Sequence, residues 1–381
     1  MGRKRIHSQL RRWALGGKLD RYVGWTFASS YATALFVVMG LFVIMDMTQH
    51  LDYYLEPWAD GTTVSSSIVL GYYLFQLPML FLQAAPFITL IAGLFTLTRL
   101  LNNNEVGAVL AAGTSGRRLL FPILVGGMLA TGGMVTLREA GRSRLLPTRD
   151  SLHYILTRKN TDHSYQHLRM RDLSGSSLLF GLYRPAAPGV PAEGFDLAAH
   201  LREDGLWTYQ VHASRATFGT RDGMPGLILE EGVRTDVGER QNKMPVDWLG
   251  ADEFDFSPEM AMTYNRAVEN PLELSFLEAV ELSRRDPDNV VYQTLMQYHL
   301  TFPLANLVLL LVGLPLAMRH ERSRGAEGMA KGLLICLIFF AADFVCRSLG
   351  VQGALDPLLA RWLPVLFFGS LGVVLFESMR T

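Results

Sequence analysis

The chain has 381 residues, 49% of them hydrophobic and 18% charged, with 35 basic and 35 acidic side chains. A formal net charge of zero leaves no basic body for nucleic acid, and the apolar residues gather in runs instead of spreading as in soluble domains. Its two cysteines, Cys336 and Cys346, would lie roughly 15 Å apart along one helix, which excludes an intrachain disulfide, and they are too few for a thiolate zinc site.

Seven basic residues (Arg3, Lys4, Arg5, Arg11, Arg12, Lys18 and Arg21) precede the first apolar run, 27–45. That run is too long for the core of a signal peptide, and no small-residue cleavage site follows it, so it reads as a first span. The next segment, 46–63, carries Asp46, Asp52, Glu56 and Asp60 without a Lys or Arg, and reads as external. The uncharged run 64–98 contains Pro78 and Pro86 and reads as one span, kinked or preceded by an extra outer turn. The segment 99–118 holds Arg99, Arg117 and Arg118 and reads as internal.

Within that internal segment, "NNNEVGAVLAAGTSGRRL" (102–119) predicts a helix of about eight residues. Asn104 is placed to cap it, Glu105 complements the dipole in the first turn, and Gly113 is placed to end it in a left-handed conformation. So short a helix is unstable alone and needs a partner surface. Gly107 with Ala111, and Ala108 with Ala112, offer a low-profile face, and Val106, Val109 and Leu110 offer apolar contact. An amphipathic piece lying on the membrane is the competing reading.

A third span, 119–137, carries four glycines that permit close helix packing. The stretch 138–270 is broken into short β-prone pieces, "SSLLFGLY", "GFDLAAHLRE", "LWTYQVHASRATFG" and "GLILEEGVRTDV", punctuated by Gly, Pro and Asp. It predicts an inserted jelly-roll-like domain outside the membrane, with an open strand edge expected within 167–183. An amphipathic linker helix follows in 271–297, with Leu274, Leu277, Val280 and Leu282 between charges. Three further spans, 300–318, 332–347 and 358–376, complete a three-plus-three helical membrane protein within 298–381. The loop 319–331, with Arg319, Arg322, Arg324 and Lys331, reads as internal, which places both termini in the cytoplasm.

The chain has no G-x-x-x-x-G-K-[ST], H-E-x-x-H or G-x-S-x-G sequence, so nothing points to its own ATP hydrolysis, a zinc protease or a serine hydrolase. Asp343 and Arg347, at i and i+4 in the fifth span, read either as a self-neutralising pair or as a proton relay. Asn306, Gln76 and Gln83 read as interhelical hydrogen-bonding residues.

The chain resembles the LptF/LptG family of lipopolysaccharide-export permeases over essentially its whole length. The residues that carry the resemblance are "LDRYVGWTF" at the first span, "NEVGAVLAAGTSGRRLL" as a cytoplasmic coupling helix, "VHASRATF" in the β-domain, and Asp343 with Pro364 at the separation of the LptG type. The resemblance implies a coupling helix, 104–113, on which a cytoplasmic ABC ATPase dimer docks through Glu105, Val106, Val109, Leu110, Ala112, Gly113 and Arg117. It also implies a second six-span permease, a single-span periplasmic bridge protein, and a lipid cavity to which Asp46, His50, Asp52, Phe302, Asn306, Asp343 and Arg347 are assigned. No cofactor is expected on this chain, since ATP would be bound by the partner. One departure stands out. Where the LptG type carries lysines at the outer end of the first span, "MDMTQHLDYYLEPW" is acidic, so either a partner supplies the positive charge for a phosphorylated glycolipid, or the substrate is less anionic, or the chain is a divergent member. The alternative readings are a membrane-anchored scaffold whose β-domain binds a periplasmic partner, an intramembrane enzyme using Asp343, and a four-span lipoprotein-release permease, with which the three-plus-three layout disagrees.

Overall fold

The computed structural model describes residues 17–56, 64–157, 164–186, 190–203, 206–236, 242–269, 271–318 and 325–379. Six of its helices are long and apolar enough to cross a membrane. They lie in α1 (Lys18–Leu55), α2 (Ser66–Asn102), α4 (Gly116–Thr157), α7 (Val290–Met318), α8 (Gly325–Val351) and α9 (Pro357–Glu377). The short α3 (Glu105–Ala111) separates the second span from the third. Two compact units result, one formed by residues 1–156 with 297–381 and the other by 157–296.

In the helical unit, α2 and α7 are the central spans, with 67% and 72% of their apolar windows buried; α1, at 17%, is the least enclosed. The prolines of α2 stay within one continuous helix, as their neighbours take up the freed backbone groups in membrane-embedded helices. Close approach depends on glycine at two places around Leu310 of α7. A Cβ on Gly93 would stand 2.6 Å from its Cδ2, and one on Gly127 would collide with its Cδ1. Thr89 donates to Asn306 Oδ1 at 2.9 Å, joining α2 to α7 as the interhelical reading of Asn306 expects. Such a bond contributes about 0.6 kcal/mol in a bilayer. Gln76 accepts from Arg149 at 3.5 Å, whereas Gln83 is exposed.

The other unit is an antiparallel sheet of eight strands: β1 (Tyr165–Arg171), β2 (Ser177–Arg184), β3 (Glu193–Glu203), β4 (Leu206–Arg221), β5 (Met224–Glu230), β6 (Val233–Asp236), β7 (Lys243–Pro245) and β8 (Trp248–Gly250). The order is β1-β2-β3-β4-β5-β8, with β6 on β4 and β7 on β6. Period-two alternation sends one face inward. Met170, Leu178, Ala199 and Val211 face one another across four strands and are all buried, as are Leu168, Phe180, Leu197 and Ala213. Two stretches that the sequence assigns to the strand-rich middle are helical. The helix α4 continues past the apolar run to Thr157, and α5 spans Pro258–Glu269. The amphipathic linker becomes α6 (Phe276–Arg285), started by a capping box in which Ser275 accepts from the Glu278 N–H and Glu278 accepts from the Ser275 N–H.

Candidate functional site

Two constellations in the helical unit hold chemistry. The first is α3. Asn104, expected to cap this helix through its side chain, instead takes a left-handed backbone (φ 56°) and makes no side-chain cap. Asparagine tolerates that conformation because its short polar side chain bonds locally. Glu105 Oε1 accepts from the Asn103 amide at 3.1 Å and from the Tyr22 hydroxyl at 2.9 Å. At the other end Gly113 has φ 78°, as its position predicts. Its N–H donates to Leu110 O at 2.9 Å, and the Thr114 N–H donates to Val109 O at 3.2 Å, the paired bonds of a Schellman motif.

Val106, assigned from sequence to contact with a partner, is 2% exposed and packs into the core of the bundle; Val109 and Leu110 pack partly against that core. The exposed face is Gly107, Ala108, Ala111, Ala112 and Gly113, with Glu105 at its edge. Helix α3 is therefore held by burial on one side and offers small side chains on the other, which resolves how seven residues persist as a helix. Arg117 is turned toward its own chain and donates to Met379 O at 3.4 Å. Replacing Gly113 by valine is expected to destabilise the end of α3, since a left-handed residue with a Cβ costs about 1–2 kcal/mol and β-branching adds to it. Faster amide exchange at Thr114 and at position 113 would register the change.

The second constellation lies at the far end of the bundle, with Arg138 roughly 30 Å along α4 from Arg118 at 1.5 Å per residue. Asp343 does not pair with Arg347. Its carboxylate binds Arg361 of α9 at 3.2 and 3.3 Å, while Arg347 lies over the Phe344 ring, 5.6 Å from its centroid. A residue 18 positions away on the next helix wins because it can be enclosed with Asp343, and Arg361 is 0% exposed. Arg361 also lies 4.9 Å from the Tyr298 centroid, and Arg138 lies 5.5 Å from it. Arg138 donates to His299 Nδ1 at 2.8 Å. A guanidinium only donates, so Nδ1 is the acceptor and the ring is neutral. Phe302 packs against Tyr298 with ring centroids 4.8 Å apart and the planes tilted by 31°, and Asn306 is buried one turn further. Tyr298 thus lies near two guanidiniums, of which Arg361 is bonded to the Asp343 carboxylate and Arg138 to the neutral His299 ring. Arg138, Tyr298, His299 and Arg361 are absent from the sequence reading. The signal for Arg361 was an arginine inside the apolar run 358–376, and intramembrane arginines are rare enough to flag.

The remaining residues assigned to a lipid cavity fall elsewhere. Asp46 accepts from the Tyr73 hydroxyl at 2.8 Å, and His50 lies 3.3 Å from its other oxygen. Asp46 therefore ties α1 to α2, in a contact lined by Tyr54, Tyr72 and Leu156, and Asp52 is exposed.

In the sheet unit, β1 is an edge strand whose one partner among the described residues is β2. It falls at the start of the region expected to be open. A cleft of about 430 Å³ runs along it, lined by Arg169, Arg171, Tyr264, Val268, Asp286 and Tyr292 among others. Tyr264 accepts from the Arg171 N–H and donates to its carbonyl, and burial pushes its hydroxyl up to about 12, so it remains a donor at neutral pH.

With this geometry in hand, comparison with known proteins gives one family. The model described as lipopolysaccharide export system permease LptF/LptG matches residues 21–378. None of the curated proteins compared matches the chain.

Proposed function

Because the chain belongs to the LptF/LptG family, whose members are the permeases of the lipopolysaccharide export system and are multi-pass inner-membrane proteins, we propose that it extracts lipopolysaccharide or a related glycolipid from the membrane under the drive of a separate ABC ATPase. The observation that carries this reading is α3, a capped helix anchored by Val106 between two spans, with a small-residue face and a carboxylate at its edge. An ATPase dimer docks there, against Gly107, Ala108, Ala111 and Ala112, with Glu105 facing a cation of the ATPase.

The internal assignment of 99–118 puts α3 and both termini in the cytoplasm and the sheet in the periplasm. The charge cluster then sits toward the outer leaflet, where its surplus guanidinium is suited to lipid phosphates. That supports a spread of positive charge over the third and sixth spans in place of lysines on the first. Edge strand β1 is suited to strand addition by a single-span bridge protein with a similar fold. The weakly enclosed α1 supports pairing with a second six-span permease. Purification of the tagged chain from its native membrane tests this reading. An ABC ATPase and a second permease of the family are expected to come down with it, and a chain that brings down neither contradicts the proposal.

A further inference from the structure

The first turn of α1 is gripped from two sides by the segment that contains α3. Asp20 Oδ2 receives Arg118 Nη2 at 2.6 Å, in a pair whose side chains are 5% and 20% exposed. Two residues on, the Tyr22 hydroxyl donates to Glu105 Oε1. Asp20 and Tyr22 are about 200° apart around the helix at 3.6 residues per turn. Glu105 opens α3 and Arg118 follows it, so the two ends of one short segment close on opposite faces of α1. Leu19 packs partly against the same core as Val106, Val109 and Leu110.

Two further facts give this clasp direction. Both donors to Glu105, the Tyr22 hydroxyl and the Asn103 amide, bond to Oε1, so the carboxylate that opens α3 is joined directly to α1. Of the six spans, α1 has the smallest share of its most apolar stretch buried in the chain, at 17%, and so leaves the most surface for the membrane or another chain.

We propose that Tyr22 and Asp20 are positioning residues that make the first span part of the coupling unit, so that a displacement of α3 reaches α1 directly as well as through α2 and α4. This rests on the reading of α3 as the ATPase dock. The clasp carries the motion of α3 into the span with the most open surface, apart from whatever holds the ATPase itself.

The test uses the complex as purified, reconstituted in liposomes of phospholipid and lipopolysaccharide, with ATP hydrolysis and lipopolysaccharide release measured together. Tyr22→Phe keeps the ring and removes only the donor. Asp20→Asn removes the charge, and Asp20→Arg with Arg118→Asp restores the pair in reverse. Tyr22→Phe and Asp20→Asn are expected to keep the ATPase bound and hydrolysing, while lipid released per ATP falls about three- to tenfold, the range that the net contribution of one ordinary hydrogen bond supports. The reversed pair is expected to recover most of the loss. Release per ATP unchanged in Tyr22→Phe and in Asp20→Asn would overturn the clasp while leaving the α3 reading intact. A wild-type chain that binds no ATPase overturns both.

Discussion

Arg361→Met is expected to be among the most destabilising single substitutions in the helical unit. Arg361 is wholly buried and its guanidinium meets both oxygens of Asp343. Removing it strands a carboxylate among apolar side chains, and breaking one partner of a buried pair costs about 3–5 kcal/mol. The expected result is a large loss of monodisperse protein in detergent and a clearly lowered unfolding temperature. Replacing both partners, Asp343→Leu with Arg361→Met, is expected to return stability close to wild type, because two desolvated charges give way to apolar packing. A single variant as stable as wild type would show that the pair is not enclosed as described. The comparison also bears on the proton-relay reading of Asp343, since a double variant that still transports has no need of a titrating carboxylate there.

Glu105→Arg is expected to abolish capture of the ATPase while leaving the amount of chain in the membrane unchanged. Arginine cannot accept from Tyr22 or Asn103, it opposes the dipole at the start of α3 by about 0.3–1 kcal/mol, and it places like charge before the cation proposed on the ATPase. The local costs are small because Val106 and the Gly113 cap still hold the helix. Glu105→Gln separates the contributions, since it keeps an acceptor for Tyr22 and Asn103 and loses only the charge. Intermediate capture is expected from it, read as the ratio of ATPase to permease after purification. Full retention of the ATPase by Glu105→Arg would remove Glu105 from the contact.

What could be read from the sequence follows the range of the interactions involved. Gly113 was legible because a helix end is written in a few consecutive residues, and so were the six apolar runs and the strand pieces that became β2 to β6. Val106 was assigned outward because periodicity shows that a seven-residue helix has two faces without saying which one the bundle covers. Asp343 was matched to Arg347 because spacing along one helix is visible in a sequence, whereas the approach of α8 to α9 is not. The continuation of α4 to Thr157 was hidden for a related reason. Hydropathy stops where the membrane stops, but a nucleated helix extends through polar residues at little cost. The role of Asp46 in tying α1 to α2 depends on Tyr73, 27 residues away on the next helix, a contact that no local pattern shows.

The most direct test of the account is ATP-dependent release of lipopolysaccharide from liposomes that hold this chain with the ATPase and second permease that purify with it. The account predicts release to an acceptor when ATP is hydrolysed, none with a non-hydrolysable analogue, and none when the chain carries Glu105→Arg. Hydrolysis without release by the wild-type complex, or release that proceeds equally without ATP, would contradict it.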